Sequence, residues 1–149
     1  MTSEAGNFML TNTRKIRVQW GDCDPAGIVF YPRYFEMIDA STILLFEKAT
    51  GLTKIKMLEK YGGAGLALLE ARAEFKIASA YGDDIEITSE ITEFRRSSFF
   101  VRHTVTRADG ALGLMGYETR LWTVRDPDDP KRLKSGSMPA EIIEAFKRG

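Results

Sequence analysis

The chain has 149 residues, which suits one domain with one core, and its 44% hydrophobic and 28% charged residues are typical of a globular protein. Lysine and arginine total 21, as do aspartate and glutamate, so the zero formal net charge argues against a general electrostatic nucleic-acid binder. No run of 18 apolar residues predicts a membrane span, and the lone cysteine, Cys23, allows no intrachain disulfide, so we expect a cytoplasmic protein.

The N-terminal part of the chain predicts a leader and one strand. Residues 1–12 are polar and lack the basic-then-apolar pattern of a signal peptide, so we expect a mobile leader before a single domain over 13–149. Residues 15–21 alternate apolar and polar side chains, with Trp20 on the apolar side. This alternation predicts a half-buried strand.

Two helices are predicted next. Residues 34–50 fit a helix that ends at Gly51, and apolar residues cover most of its circumference. An apolar arc this wide indicates a helix enclosed by other elements. Residues 53–61 predict a short amphipathic helix that ends at two glycines.

The second half of the chain has the period-two alternation of strands. The alternating segments are 68–78, 84–94, 98–107 and 111–125. The tripeptide Ala-Asp-Gly at 108–110 signals a hairpin turn, and 138–149 predicts a terminal helix with Pro139 in its first turn. Consecutive strands joined by short turns pair antiparallel, so the predicted class is α+β, with about five strands curved around one buried helix.

The chain lacks the residues that several common kinds of site require. There is no Gly-x-Ser-x-Gly and no P-loop, and the glycine-rich segment 62–69 leads into a strand where a dinucleotide site needs a helix. One histidine and one cysteine cannot form a usual zinc set, so we expect no metal and no cofactor. Cys23 and His103 could pair as nucleophile and base, but we interpret Cys23 as a small buried residue and His103 as a strand residue.

Asp22 and Asp24 lie two residues apart just before the long helix. Aspartate favours turns and helix starts, so both could be structural. However, a carboxylate near a helix N-terminus shares space with free backbone N–H donors, which can hold a developing oxyanion. The segment could therefore present a carboxylate and an oxyanion site together, as acyl transfer requires.

Three segments resemble a known family. GDCDPAGIVFYPRYFEMID (21–39) resembles the active-site segment of the 4-hydroxybenzoyl-CoA thioesterases, which belong to the hot-dog acyl-CoA thioesterases. EFRRSSF (93–99) resembles the arginine-rich segment at their coenzyme A site, and YGDDIEI (81–87) resembles the turn before their third strand. The resemblance spans about residues 14 to 126 and implies a hot-dog fold, in which a curved antiparallel sheet wraps a long helix.

The resemblance also implies roles for single residues. Asp24 matches the catalytic carboxylate, which attacks the thioester carbonyl or activates water, and the backbone N–H of Tyr31 matches the donor that polarises that carbonyl. Asp22 and Gly27 are then expected to shape the loop.

The arginine-rich segment implies the coenzyme A contacts. Arg95 and Arg96 match the residues that meet its phosphates, for which a guanidinium is well suited. Ser97 stands where a family member has lysine, so one nucleotide contact is lost or supplied elsewhere.

The expected activity is hydrolysis of an aromatic, 4-hydroxybenzoyl-CoA-like, or short-chain acyl-CoA to free acid and coenzyme A. The alternative is an acyl-CoA-binding sensor without catalysis, which would not need Asp24. A hydroxyacyl dehydratase is disfavoured because no histidine precedes His103. The family also implies a homodimer that assembles into a homotetramer.

Overall fold

A computed structural model describes residues 9–148, which form three α-helices and six strands. The strands are β1 (Thr11–Arg17), β2 (Gly65–Phe75), β3 (Asp84–Phe94), β4 (Ser98–Arg107), β5 (Leu112–Arg125) and β6 (Leu133–Ser135). The helices are α1 (Tyr31–Thr50), α2 (Lys54–Tyr61) and α3 (Ala140–Arg148). None of these helices is long and apolar enough to cross a membrane.

The six strands form one antiparallel sheet in the order β1-β3-β4-β5-β2, and β6 pairs with the far end of β5. Helix α1 follows β1 in the chain and packs against the sheet, mainly on β1 and β3. This arrangement confirms the predicted α+β class. It leaves β2 as an edge strand.

The core lies between α1 and the inward side chains of the central strands. The alternating residues predicted to share the inner face of β3 and β4 are all buried: Ile85, Ile87, Ile91, Phe99, Val101, His103 and Val105. Helix α3 closes one end of this core with Ile142 and Phe146, both fully buried. The alternation of apolar residues along β3 and β4 therefore predicted the buried face correctly.

The helix ends follow local rules. Gly51 and Gly62 take the left-handed conformation, with φ of 72° and 67°, and terminate α1 and α2 as expected. The Thr53 side chain accepts a hydrogen bond from the N–H of Lys56 and caps α2. Helix α1 begins at Tyr31, three residues earlier than predicted, because Pro32 is tolerated in a first turn, where its missing N–H costs nothing.

The first strand differs from its prediction. It begins at Thr11, so residues 11 and 12 belong to the sheet; residues 1–8 of the expected leader lie outside the described residues. It also ends at Arg17, because the chain then turns through a short 3₁₀ helix at Trp20–Asp22. The Trp20 side chain is consequently 65% exposed instead of buried.

Strand β2 begins at Gly65, three residues earlier than predicted, and ends at Phe75. It contains a bulge between Leu68 and Glu70. Phe75 and Ile77 were expected on a buried face, but they are 54% and 46% exposed. The reason is positional, since β2 is the edge strand of the sheet and both residues line an open cavity.

Candidate active site

The loop between β1 and α1 is fixed at both ends by Asp22. Its carboxylate accepts a hydrogen bond from the N–H of Gln19 at 2.9 Å, and its backbone carbonyl accepts one from the N–H of Phe30 at 2.8 Å. The loop therefore closes just where α1 begins.

Asp24 lies inside this loop in a tight turn. Its carboxylate Oδ1 accepts a hydrogen bond from the N–H of Ala26 at 2.8 Å, and its carbonyl accepts one from the N–H of Gly27 at 2.9 Å. Gly27 has φ of 81°, which favours glycine, and its carbonyl is bonded to the N–H of Tyr81 at 2.9 Å. Asp24 Oδ2 has no hydrogen-bond partner within residues 9–148, so one oxygen stays available for chemistry.

The start of α1 supplies backbone donors beside this loop. The first N–H groups of an α-helix have no partner within the helix, and the helix dipole makes this end positive. Tyr31 is the first residue of α1, and Pro32 contributes no N–H. The N–H of Arg33 is already bonded to the carbonyl of Phe30 at 2.8 Å. The Tyr31 N–H is therefore the first donor of this helix that could meet an oxyanion.

Asp24 and Tyr31 line the same cavity, which has a volume of about 420 Å³. The other lining residues are mainly apolar or aromatic: Ile28, Val29, Phe30, Tyr34, Phe75, Lys76, Ile77, Ala78 and Gly113. The Phe75 ring meets Tyr31 and Tyr34 edge to face, at centroid distances of 6.4 and 6.2 Å. The structure thus places one carboxylate and one helix start at the wall of an apolar pocket.

Cys23 and His103 do not form a catalytic pair. Cys23 is half-buried, and partial burial with the neighbouring carboxylates of Asp22 and Asp24 raises the pKa of its thiol, which disfavours a thiolate nucleophile. His103 is fully buried, with Nδ1 at 2.7 Å from the Ser89 hydroxyl and Nε2 at 3.1 Å from Glu118 Oε1. The interpretation of His103 as a strand residue is confirmed.

His103 belongs to a buried polar network between the sheet and α1. Arg120 binds Glu118 Oε2 at 2.7 Å and Asp39 of α1 at 2.5 Å, and the Thr42 hydroxyl also donates to Glu118. Burial alone would raise the pKa of Glu118, but hydrogen bonds from His103, Arg120 and Thr42 outweigh it and lower that pKa to about 2. Apart from Asp39, which is exposed, these groups are buried in the core, and none of them lines the cavity.

The residues predicted to bind coenzyme A lie elsewhere in the chain. Arg95, Arg96 and Ser97 form the turn between β3 and β4, whereas the cavity residue Gly113 lies near the opposite end of the sheet. Ser98 and Thr106 of β4 mark these two ends, and eight residues of strand span about 27 Å. Within one subunit, the structure does not bring the arginines together with Asp24.

The arginine side chains differ in their surroundings. Arg95 Nε is 2.9 Å from Glu93, and its guanidinium lies over the Phe100 ring at 4.9 Å. The Arg96 side chain is exposed and forms no ion pair within the described part of the chain. Arg96 is thus the more available of the two for a phosphate. The same residues, 9–148, contain no group of three His, Cys, Asp or Glu side chains arranged to hold a metal ion.

Sequence reasoning missed most of the cavity wall and the whole polar network. Phe30, Tyr34 and Phe75 come from separate segments, so their convergence depends on the tertiary fold. The network had a signal, since Glu118 and Arg120 share one face of β5 with the buried residues Gly116 and Trp122. Two charged residues at inward positions of a strand predict a buried ion pair.

Comparisons with known proteins identify the family of this chain. A family model described as the thioesterase-like superfamily matches residues 18–146. The chain belongs to this superfamily. A relative from Pseudomonas sp. (strain CBS-3), named 4-hydroxybenzoyl-CoA thioesterase, is 33% identical over 136 residues, which is 89% of this chain and 94% of the relative. The Escherichia coli O157:H7 relative named acyl-CoA thioester hydrolase YbgC is 28% identical over 142 residues, again 89% of this chain and 93% of the relative.

Solved structures of the superfamily also superpose on this chain. The Pseudomonas 4-hydroxybenzoyl-CoA thioesterase matches with a TM-score of 0.82 and 33% identity, covering 91% of this chain and 98% of its own. A gentisyl-coenzyme A thioesterase matches with a TM-score of 0.74 and 26% identity, covering the same shares. The predicted family resemblance and hot-dog fold are confirmed.

Proposed function

We propose that this protein is an acyl-CoA thioesterase that hydrolyses R–CO–S–CoA to a free acid and coenzyme A. The observation that carries the proposal is that Asp24 and the first turn of α1 line one apolar cavity. The names of the two relatives, both thioester hydrolases, support the same reaction.

Asp24 and Tyr31 would divide the chemistry. The Asp24 carboxylate attacks the thioester carbonyl, or removes a proton from a water molecule that attacks it. The carbonyl oxygen gains negative charge as the new C–O bond forms, and the Tyr31 N–H donates to it there. Collapse breaks the C–S bond and releases the thiolate of coenzyme A. When water attacks, this step leaves the free acid; when Asp24 attacks, it leaves a mixed anhydride, which a water molecule then hydrolyses to the free acid and the Asp24 carboxylate. The contacts of Asp22 and Gly27 support their role in shaping the loop that aims Asp24.

The cavity wall favours an aromatic or short-chain acyl group. Its volume of about 420 Å³ lies in the range of small-ligand pockets, and most of its lining is apolar or aromatic. Phe30, Tyr34 and Phe75 offer ring edges and faces to a flat acyl group. The two solved relatives are named for hydroxylated benzoyl thioesters, which suits an aromatic substrate for this chain also.

A second subunit would supply the arginines. Strand β2 is an edge strand, and its inward residues Leu68 and Phe75 are 50% and 54% exposed. Two copies related by a two-fold axis can pair along this edge as antiparallel strands, which buries those side chains. The pairing reverses the partner's sheet, so its turn at Arg95–Ser97 comes to the end of the sheet where Asp24 lies. Arg96 could then meet the coenzyme A phosphates across the interface.

The dimer has a direct test. Leu68→Glu places a charge on the proposed interface and should convert the dimer to a monomer with little thioesterase activity. Leu133→Glu is the matched control, because Leu133 is similarly exposed but lies on β6. Light scattering after size exclusion gives the masses; a monomeric wild type would contradict this interface. A tetramer of two such pairs and a cytoplasmic location remain predictions.

Catalysis is tested by thiol release from a panel of aromatic and aliphatic acyl-CoAs. Asp24→Asn should lower kcat by about 10²- to 10⁴-fold. Asp22→Asn is the control, because in both variants the amide oxygen can still accept the loop hydrogen bond. Full activity of Asp24→Asn would refute the catalytic assignment. Binding of acyl-CoA by the wild type without any hydrolysis would favour the sensor alternative.

A further inference from the structure

The turn that carries the arginines is held by two distant segments. The carbonyl of Arg96 accepts a hydrogen bond from the N–H of Met138 at 2.7 Å, and the carbonyl of Ser97 accepts one from the N–H of Trp122 at 2.8 Å. The turn also closes on itself through the N–H of Arg95 and the carbonyl of Ser98, at 2.8 Å. Its backbone is therefore anchored on more than its own two strands.

Aromatic packing adds a second anchor. Phe94, the last residue of β3 before the turn, meets the Phe146 ring of α3 at 5.3 Å and the Phe99 ring of β4 at 6.0 Å. Phe146 is fully buried, and its carbonyl accepts the N–H of Leu10 at 2.8 Å. The C-terminal segment thus contacts the turn directly at Met138 and indirectly through Phe146.

We propose that the C-terminal segment 138–148 is a positioning element for coenzyme A binding, because it fixes the backbone from which Arg96 projects. This inference rests on the proposed contact between Arg96 and coenzyme A. Without this anchor the turn would be more mobile, and it would lose conformational entropy when the coenzyme A phosphates bind. The free energy of binding would therefore be less favourable. The acyl group and Asp24 lie at the other end of the subunit, so binding of the acyl group and the reaction at Asp24 should not change.

The test compares two substrates with the same acyl group, a CoA thioester and a pantetheine thioester, which lacks the nucleotide. Phe146→Leu removes the ring contact to Phe94. It should raise KM for the CoA thioester roughly threefold to tenfold, with kcat and the pantetheine KM unchanged. Phe46→Leu is the matched control: Phe46 also packs on Phe146 and Phe99, at 4.9 and 5.1 Å, but within residues 9–148 its ring does not contact Phe94, which leads into the turn.

A second variant keeps the test informative if Phe146→Leu does not fold. Phe94→Leu removes the same ring pair from a half-buried position, so it is expected to fold even where Phe146→Leu does not. Both variants are assayed below their measured thermal midpoints. A rise in KM that is equal for the two thioesters, or no larger than that of Phe46→Leu, would overturn the positioning role.

Arg96→Ala separates this inference from the function beneath it. If Arg96→Ala raises KM for the CoA thioester alone and the phenylalanine variants do not, the positioning role fails and the arginine assignment stands. If Arg96→Ala affects neither substrate, the arginine assignment fails and the positioning role fails with it. If the wild type hydrolyses neither thioester, the thioesterase proposal is rejected instead.

Discussion

Glu118 should govern how this fold responds to acid. Its pKa lies at about 2 instead of its ordinary 4.5, because its hydrogen bonds to His103, Arg120 and Thr42 outweigh its burial. At 1.36 kcal/mol for each pKa unit, the charged carboxylate stabilises the folded state by about 3 kcal/mol. Since the folded-state pKa is the lower one, this contribution is complete above about pH 5 and declines as the pH falls toward 2. About 2 kcal/mol of it should be lost by pH 3.

Glu118→Gln keeps the shape of the side chain and removes its charge. Relative to wild type, it should lower the free energy of unfolding by about 3 kcal/mol at pH 7, but by only about 1 kcal/mol at pH 3. Urea unfolding followed by tryptophan fluorescence, at one protein concentration, measures both values. Glu90→Gln breaks the partly exposed pair with Arg102 at 3.0 Å and should cost less than about 1 kcal/mol at either pH. A Glu118→Gln deficit that is the same at pH 7 and pH 3 would refute the reasoning.

Two pairs of glycines, each a test position and its control, give sharper local predictions. A Cβ on Gly63 would lie 2.3 Å from a Trp122 ring carbon, so Gly63→Ala should lower the free energy of unfolding by about 1–3 kcal/mol. Gly21→Ala, in open space, should be nearly neutral in the same urea titration, and equal effects would contradict the clash. Gly27 and Gly51 both have positive φ and open surroundings, so Ala should cost each about 1–2 kcal/mol. Only Gly27→Ala should also reduce kcat for acyl-CoA, because only Gly27 lies in the loop of the proposed catalytic carboxylate.

Sequence periodicity predicted the buried residues well in strands that lie in the middle of the sheet. The alternation in β3 and β4 identified the inner face because both strands are central in the sheet. It failed at Trp20 and Phe75, where an apolar residue lies on a surface of the isolated chain. A short turn after β1 and an edge position for β2 cause these two errors. Neither is encoded in local alternation.

The candidate site was predictable only in part. Asp24 and Tyr31 come from one contiguous segment, so a motif could place them together, and the structure puts both at one cavity. The facing wall comes from residues 75–78 and Gly113, which only the completed sheet brings near. The arginines were found by resemblance, but their distance from Asp24 depends on strand direction and length. Their proposed contribution from a partner subunit could not be read from the sequence of one chain.

The isolation of His103 has a practical use. It is the only histidine in the 149 residues, it is fully buried, and Ser89, Glu118 and Thr42 surround its ring nitrogens. One imidazole in one environment should give a single pair of histidine ring signals in an NMR spectrum, without overlap from other histidines. Those signals would report the integrity of the core during unfolding or ligand binding. His103 is therefore a natural NMR probe of the contact between α1 and the sheet.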